Sequence, residues 1–167
     1  MKTALAELPI STRDGIFLAH YSEKGLAELD FPSAKTLAAP ERNEGAPISA
    51  KIKNWHRLTT GALKKILAGS EPTGFPPLDW TGKTEFQKSV WRAMLKISPG
   101  KTKSYGEIAH AIGNPKAVRA VGGACGANPI PVLVPCHRVL AANNKLGGFS
   151  GGLDWKRKLL AGEGIKF

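Results

Sequence analysis

The residues best suited to chemistry are consecutive: Cys136, His137 and Arg138, directly after Pro135. A thiolate attacks electrophilic carbon well, and a neighbouring positive charge or a basic imidazole makes the thiol easier to ionise. The apolar run ahead of them, residues 130–134 (IPVLV), reads as a short buried strand that Pro135 ends. Adjacent residues of an extended strand point to opposite faces, so Cys136 and His137 can cooperate only if the chain bends sharply across 135–137. The pair alone favours a second reading, a buried inert cysteine beside an exposed histidine. Metal chemistry has less support. Cys125, Cys136 and His137 are the only such residues close in sequence, with no C-x-x-C, no H-x-x-x-H and no P-C-x-x-C ligand pair. Cys125 is expected to act as a small apolar residue on its helix. His20, His56 and His110 are expected to be structural or solvent-facing.

The elements that must hold this site are well punctuated. Thr84 with Gln87 makes a capping-box pattern, followed by Phe86, Val90, Trp91, Met94 and Leu95 on one helical face, and Ser98-Pro99-Gly100 stops that helix. Ser104 with Glu107 opens a second, shorter helix carrying Ile108, Ala109 and Ile112, which Gly113 ends. Asn114 as cap and Pro115 as first residue predict a third helix running to about Cys125. Two short helices about a tight glycine turn form a helix-turn-helix candidate. The third helix contains Gly122 and Gly123, each costing roughly 1 kcal/mol against alanine. Small residues there permit close approach, either of another helix or of a nucleic-acid groove. Upstream, residues 15–21 and 26–31 read as strands around a turn at 22–25, and 32–47 as mostly loop. A helix bearing Trp55, Leu63, Ile66 and Leu67 follows, and the Gly- and Pro-rich stretch 69–77 suggests a boundary near residue 80.

Charge separates the same halves. Residues 1–81 hold 10 Lys/Arg and 9 Asp/Glu, whereas 82–167 hold 14 and 4, so nearly all of the +11 lies in the second half. That asymmetry favours a polyanion, with nucleic acid ahead of a membrane surface because no long basic amphipathic helix is present. At 42% hydrophobic and 22% charged, wholesale disorder is excluded. No run approaches the ~20 apolar residues of a membrane span. The first residues do not form a secretory signal, and two cysteines point to a reducing compartment.

With these residues in place the chain resembles the O6-alkylguanine-DNA alkyltransferases, the methylated-DNA–protein-cysteine methyltransferase family. The resemblance runs from Pro77 to Gly164 through PPLDWTGKTEFQ, SYGEIA, GNPKAVRAVGGA, NPIPVLVPCHRV, GGFSGG and KLLAGEG. Residues 1–70 are similar only in size and in a hairpin-like start. It implies an α/β ribonuclease-H-like N-terminal domain over 1–80. A mainly α, winged-helix-like helix-turn-helix domain would follow over 81–167. It further implies irreversible transfer of an alkyl group from O6-alkylguanine, and from O4-alkylthymine, in double-stranded DNA to Cys136. Each molecule reacts once and needs neither cofactor nor metal. Glu163 would orient His137, and His137 would deprotonate Cys136 through a water. Tyr105 would donate to the base ring. The Ser150 N–H would face O6, and the Cys136 and Val139 carbonyls would take the exocyclic amine. Pro131 and Phe149 would wall the pocket. On the DNA side, Ala117, Ala120 and Gly122 would press into the minor groove beside Lys116 and Tyr105. Arg119 would fill the gap left by the flipped nucleotide, and Asn128 would brace the turn after the helix. A cytoplasmic monomer, nucleoid-associated in a bacterium, is implied as well.

Phe149 stands where many members carry Tyr, which removes one hydroxyl contact, and the N-terminal half lacks the cysteines of a zinc site. Three rivals differ in class. A non-catalytic damage-recognition protein would lack the cysteine. A major-groove transcription factor would carry polar side chains where this helix carries Ala, Val and Gly. A Cys-His hydrolase would turn over.

Overall fold

The structure, a computed structural model, describes residues 5–38, 42–43 and 47–166. The fold is mixed α/β and falls into two compact units, Met1–Lys64 with Pro72–Thr81, and Lys65–Glu71 with Gly82–Phe167. Among the described residues no helix is long and apolar enough to cross a membrane.

The first unit is built on an antiparallel sheet of β1 (Ala6–Thr12), β2 (Gly15–Tyr21), β3 (Leu26–Asp30) and β4 (Arg42–Asn43), in the order β3-β2-β1-β4. β2 falls where expected, and β3 falls on the alternating stretch 26–31 and ends at Asp30. β1 is an addition: its pattern buries Ala6, Leu8 and Ile10, but Pro9 argues against a strand in sequence. β1 nonetheless pairs with β2 along its whole length, Pro9 opposite Leu18, and with β4 at Ala6 and Glu7. Within 32–47, read as mostly loop, lie the short helix α1 (Ala34–Leu37) and β4, while 39–41 and 44–46 fall outside the described residues. α2 (Ala50–Leu67) follows, with Leu63 and Ile66 buried and Trp55 and Leu67 half-buried. Gly25 (φ +153°) lets the β2–β3 turn pack on residues 72–81, since a Cβ there would sit 2.3 Å from the Pro77 carbonyl oxygen.

In the second unit both capping boxes form, Thr84 on α3 (Glu85–Leu95) and Ser104 on α4 (Tyr105–Ala111). α3 buries Val90, Trp91 and Met94, while Leu95 stays exposed and Ile97 turns inward instead. The Trp91 indole N–H donates to the Ala124 carbonyl at 2.8 Å and so ties α3 to α5 (Val118–Gly126). A two-residue parallel ladder, β5 (Lys103–Ser104) on β6 (Val139–Leu140), sets the start of α4 beside the chain that leaves Cys136. α6 (Leu153–Gly162) closes the unit, with Leu159 and Leu160 buried.

Candidate active site

The chain leading to Cys136 is buried, as an apolar run should be, but it is not the expected strand. Residues 130–134 double back on themselves: the Val134 N–H donates to the Ile130 carbonyl at 3.0 Å, and Pro131 bridges to Val134. Val132 takes a φ of +74°, a region that costs a β-branched residue roughly 1–3 kcal/mol. Asn128 holds the turn, donating from Nδ2 to the Val134 carbonyl at 2.8 Å and accepting the Ile130 N–H at 3.0 Å. Its amide supplies what a neighbouring strand would have supplied, and the prolines at 129, 131 and 135 offer no N–H to a ladder.

After Pro135 the chain bends into a 3-10 turn, Cys136–Arg138, with all three side chains buried. His137 is fully enclosed, and its Nε2 lies 3.0 Å from Glu163 Oε1. Arg138 pins the same carboxylate: Nε donates to both oxygens at 3.0 Å and Nη2 to Oε1 at 2.7 Å, while Nη1 reaches the Ile97 carbonyl at 2.6 Å. Burial pushes the Glu163 carboxyl up. The hydrogen bonds and charges of His137 and Arg138 outweigh that and bring it down to about 2. Glu163 is therefore an ionised acceptor, and His137 must give it the Nε2 hydrogen. Burial also lowers His137, against the raising pull of Glu163, so the ring is neutral and its lone pair is on Nδ1. That atom is buried with no hydrogen-bond partner. An oriented neutral imidazole with a free lone pair is a general base.

Cys136 lies in the wall of a pocket of about 380 Å³, lined by Tyr105, Gly122, Cys125, Gly126, Cys136, Gly148, Phe149 and Ser150. This is within the range of small-ligand sites, roughly 300–1,000 Å³. Burial pushes the Cys136 thiol up, against smaller lowering contributions from the Asn128 side chain and the charge of Lys156. The acidified thiol expected from the sequence is thus corrected: the resting nucleophile is a protonated thiol that needs a base. Burial raises Tyr105 too, and its hydroxyl is hydrogen-bonded to the Gly148 backbone. Gly147 (φ +71°) makes this approach possible, since a Cβ there would lie 2.7 Å from the Tyr105 hydroxyl. Of the residues assigned by resemblance, the pocket brings together Cys136, Tyr105, Phe149, Ser150 and Gly122. Pro131 and Val139 are buried but do not line it, and the Val139 carbonyl already accepts from Lys156 Nζ at 2.8 Å.

The glycine-bearing helix starts later than expected. Asn114 does not cap it, because Ala117 is the residue before its first turn; the Asn114 N–H instead donates to the Ala109 carbonyl and closes α4 over Gly113 (φ +78°). Residues 114–117 form a turn, and α5 begins at Val118. Lys116, Arg119 and Ala120 are exposed, and Ala117 and Gly122 half-buried. A Cβ added at Gly122, Gly123 or Gly126 would meet nothing within 4 Å. Packing against another helix therefore does not explain these glycines.

Three participants were not legible as such. Arg138 looked like a source of positive charge but acts as the clamp on Glu163. Cys125 is buried with Sγ 3.7 Å from Met94 Sδ, yet it also lines the pocket, and burial pushes its thiol up to about 12. Lys156 is fully enclosed, and its one sequence signal is its place three and four residues before Leu159 and Leu160 on the buried stripe of α6. For metals, the described residues bring ligand atoms together at His20, Glu28 and Asp30, within 4.8 Å of one another. That group is in the first unit, and His20 is already bonded to Asp30 at 2.8 Å.

Residues 85–165 match the family model described as 6-O-methylguanine DNA methyltransferase, DNA binding domain. The chain is 62% identical over 164 residues to a methylated-DNA–protein-cysteine methyltransferase of Methanosarcina acetivorans, covering 98% of this chain and 99% of the relative. It is 45% identical over 139 residues to the protein of that name from Methanosarcina mazei, covering 83% and 84%. Among solved structures it is similar to Mycobacterium tuberculosis OGT in complex with DNA, at 37% identity and a TM-score of 0.71, covering 95% of this chain and 92% of that one. Matched along 98% of its length by a relative 62% identical to it, the chain belongs to the methylated-DNA–protein-cysteine methyltransferase family.

Proposed function

We propose that the chain repairs DNA by moving an alkyl group from guanine O6, and from thymine O4, directly onto Cys136. The observation that carries this reading is a pocket-wall thiol whose neighbour in the same turn is a neutral, carboxylate-oriented imidazole with a free Nδ1. His137 takes the thiol proton through a bridging water. The sulfur then bonds to the alkyl carbon as the carbon–oxygen bond breaks, and the electron pair stays on the departing base. Tyr105 donates to the ring and helps neutralise the leaving guanine, while the Ser150 N–H meets O6. The Cys136 and Val139 carbonyls hold the exocyclic amine, Val139 through the lone pair Lys156 leaves. Pro131 and Phe149 bound the base. The thioether has no route back, so each molecule reacts once, without cofactor or metal.

The target reaches the pocket by flipping out of a duplex. Ala117, Ala120 and the open side of Gly122 enter the minor groove, Lys116 pairs with phosphate, Arg119 occupies the vacated stack, and Asn128 braces the turn behind. The relative solved with DNA supports a nucleic-acid partner. In this reading residues 1–80 are a ribonuclease-H-like domain and 81–167 a winged-helix-like one. The protein acts as a cytoplasmic monomer, at the nucleoid in a bacterium. A protein that only recognised damage would have no use for the row Cys136, His137 and Glu163. The test is Cys136→Ser: salt-sensitive DNA binding stays near normal while transfer disappears. Loss of binding in a folded variant would assign Cys136 to structure instead.

A further inference from the structure

Lys156 is a charge in the wrong place for a lysine. It sits on the buried stripe of α6 with no exposed surface, and among the described residues no carboxylate lies within ion-pair distance of it. Burying an ammonium without a counter-charge is costly, so groups that compensate must surround it. Two are carbonyls: Nζ donates to Val139 at 2.8 Å and to Gly148 at 3.2 Å. Val139 follows the Cys136 turn, and Gly148 adjoins Phe149 and Ser150 in the pocket wall. One ammonium thus fastens the nucleophile's segment to the loop that faces it. The ionisable groups it senses are the two pocket thiols, Cys136 and Cys125.

We propose that Lys156 is a positioning residue for the transfer, a clasp between the Val139 and Gly148 segments that also supplies the positive charge toward which the Cys136 thiolate forms. This rests on the alkyl-transfer reading given above. The groups around Cys136 are Tyr105 from α4, Cys125 from α5, Lys156 from α6 with Glu163 just beyond it, and His137 and Arg138 from its own turn. Arg138 is committed to Glu163 and His137 is neutral, which leaves Lys156 as the uncommitted cation. Burial lowers Lys156 while the two thiols raise it, and its charge in turn lowers Cys136. Out of bulk water a thiolate and an ammonium attract each other more strongly than they do in it.

The test compares wild type, Lys156→Gln and Lys156→Arg. Cys136 is alkylated with iodoacetamide across a pH series and read by the mass of its own peptide, so that Cys125 does not contribute. Transfer from free O6-benzylguanine is measured in parallel. In Lys156→Gln the pH midpoint of Cys136 alkylation rises by about 1 unit or more, and transfer near neutral pH falls about tenfold or more. Lys156→Arg keeps the wild-type midpoint even where its bulk slows transfer. An unchanged midpoint in Lys156→Gln, or an equal rise in both variants, overturns the proposal. If Lys156→Gln does not fold, the wild type carries the test. The Lys156 Nζ resonance in ¹⁵N-labelled protein shows a step as Cys136 titrates that is missing in Cys136→Ser, where only the Cys125 step remains, and a resonance indifferent to Cys136 overturns the proposal. Failure of wild type to take up the benzyl group would overturn the alkyl-transfer reading, and the iodoacetamide midpoints would still decide the role of Lys156.

Discussion

His137 gives its Nε2 hydrogen to Glu163 across 3.0 Å and keeps a buried, unpartnered Nδ1. Because Arg138 holds that carboxylate by a fork, the imidazole has one tautomer and one orientation. Glu163→Gln should lower the alkylation rate by roughly 10- to 1,000-fold, since the amide can present its own N–H to Nε2 and move the hydrogen to Nδ1. DNA affinity should stay near wild type. Single-turnover rates alongside binding isotherms separate the two, and an unaltered rate at neutral pH would remove Glu163 from the mechanism.

Stability should fall toward both extremes of pH, for different groups. Glu163 titrates near 2 in the fold against an ordinary 4.5, so its contribution is present above 4.5 and is lost as pH falls toward 2. His137, lowered from 6.5, is protonated first in the unfolded chain, which adds a loss beginning below 6.5. Cys125, at about 12 against 9.0, and Cys136, raised from 9.0, act in reverse, so their contribution is lost above 9.0. Thermal melts should show a plateau between pH 6.5 and 9, with the acid limb shallower in Glu163→Gln. An acid limb of equal slope in that variant would contradict the assignment.

Gly122→Ala should separate folding from DNA binding. Its Cβ would meet no protein atom within 4 Å, and alanine favours the helix by up to about 1 kcal/mol, so the melting temperature should hold or rise. If the helix face presses into a groove, affinity for duplex DNA should drop. Unchanged affinity would place DNA elsewhere.

Arg119→Ala should slow repair in duplex DNA strongly and leave the reaction with free O6-benzylguanine nearly unchanged, because a free base has no stack to leave. Lys at 119 should restore only part of the rate, keeping the charge without the planar fork. Equal proportional losses on the two substrates would mean that Arg119 supports the pocket rather than the flipped-out gap.

What was legible in the sequence was mostly local. The capping boxes at Thr84 and Ser104 are signals between residues three apart, β2 is a short apolar run and β3 a short alternation beside turn residues; all four form, β3 one residue shorter than read. Pro9 hid β1, which pairs with β2 from Ala6 to Thr12 all the same. Residues 130–134 carried a correct signal for burial and a wrong one for extension, since Asn128 substitutes for the strand partner. Asn114 read as a cap, but a turn over 114–117 intervenes and α5 starts only at Val118. The link from His137 to Glu163 spans 26 residues, and no periodicity points to it. Arg138 and Lys156 stayed hidden for the same reason, their partners being set by tertiary packing.

Repair by direct transfer ends on one atom, the sulfur of Cys136. The direct measurement is the mass of the Cys136 peptide after incubation with excess duplex DNA containing O6-methylguanine, alongside the amount of guanine restored. The expected result is a gain of one methylene on that peptide, with guanine reaching a plateau at one per protein molecule. Guanine rising past one per protein, or a Cys136 peptide of unchanged mass while guanine is restored, would contradict it.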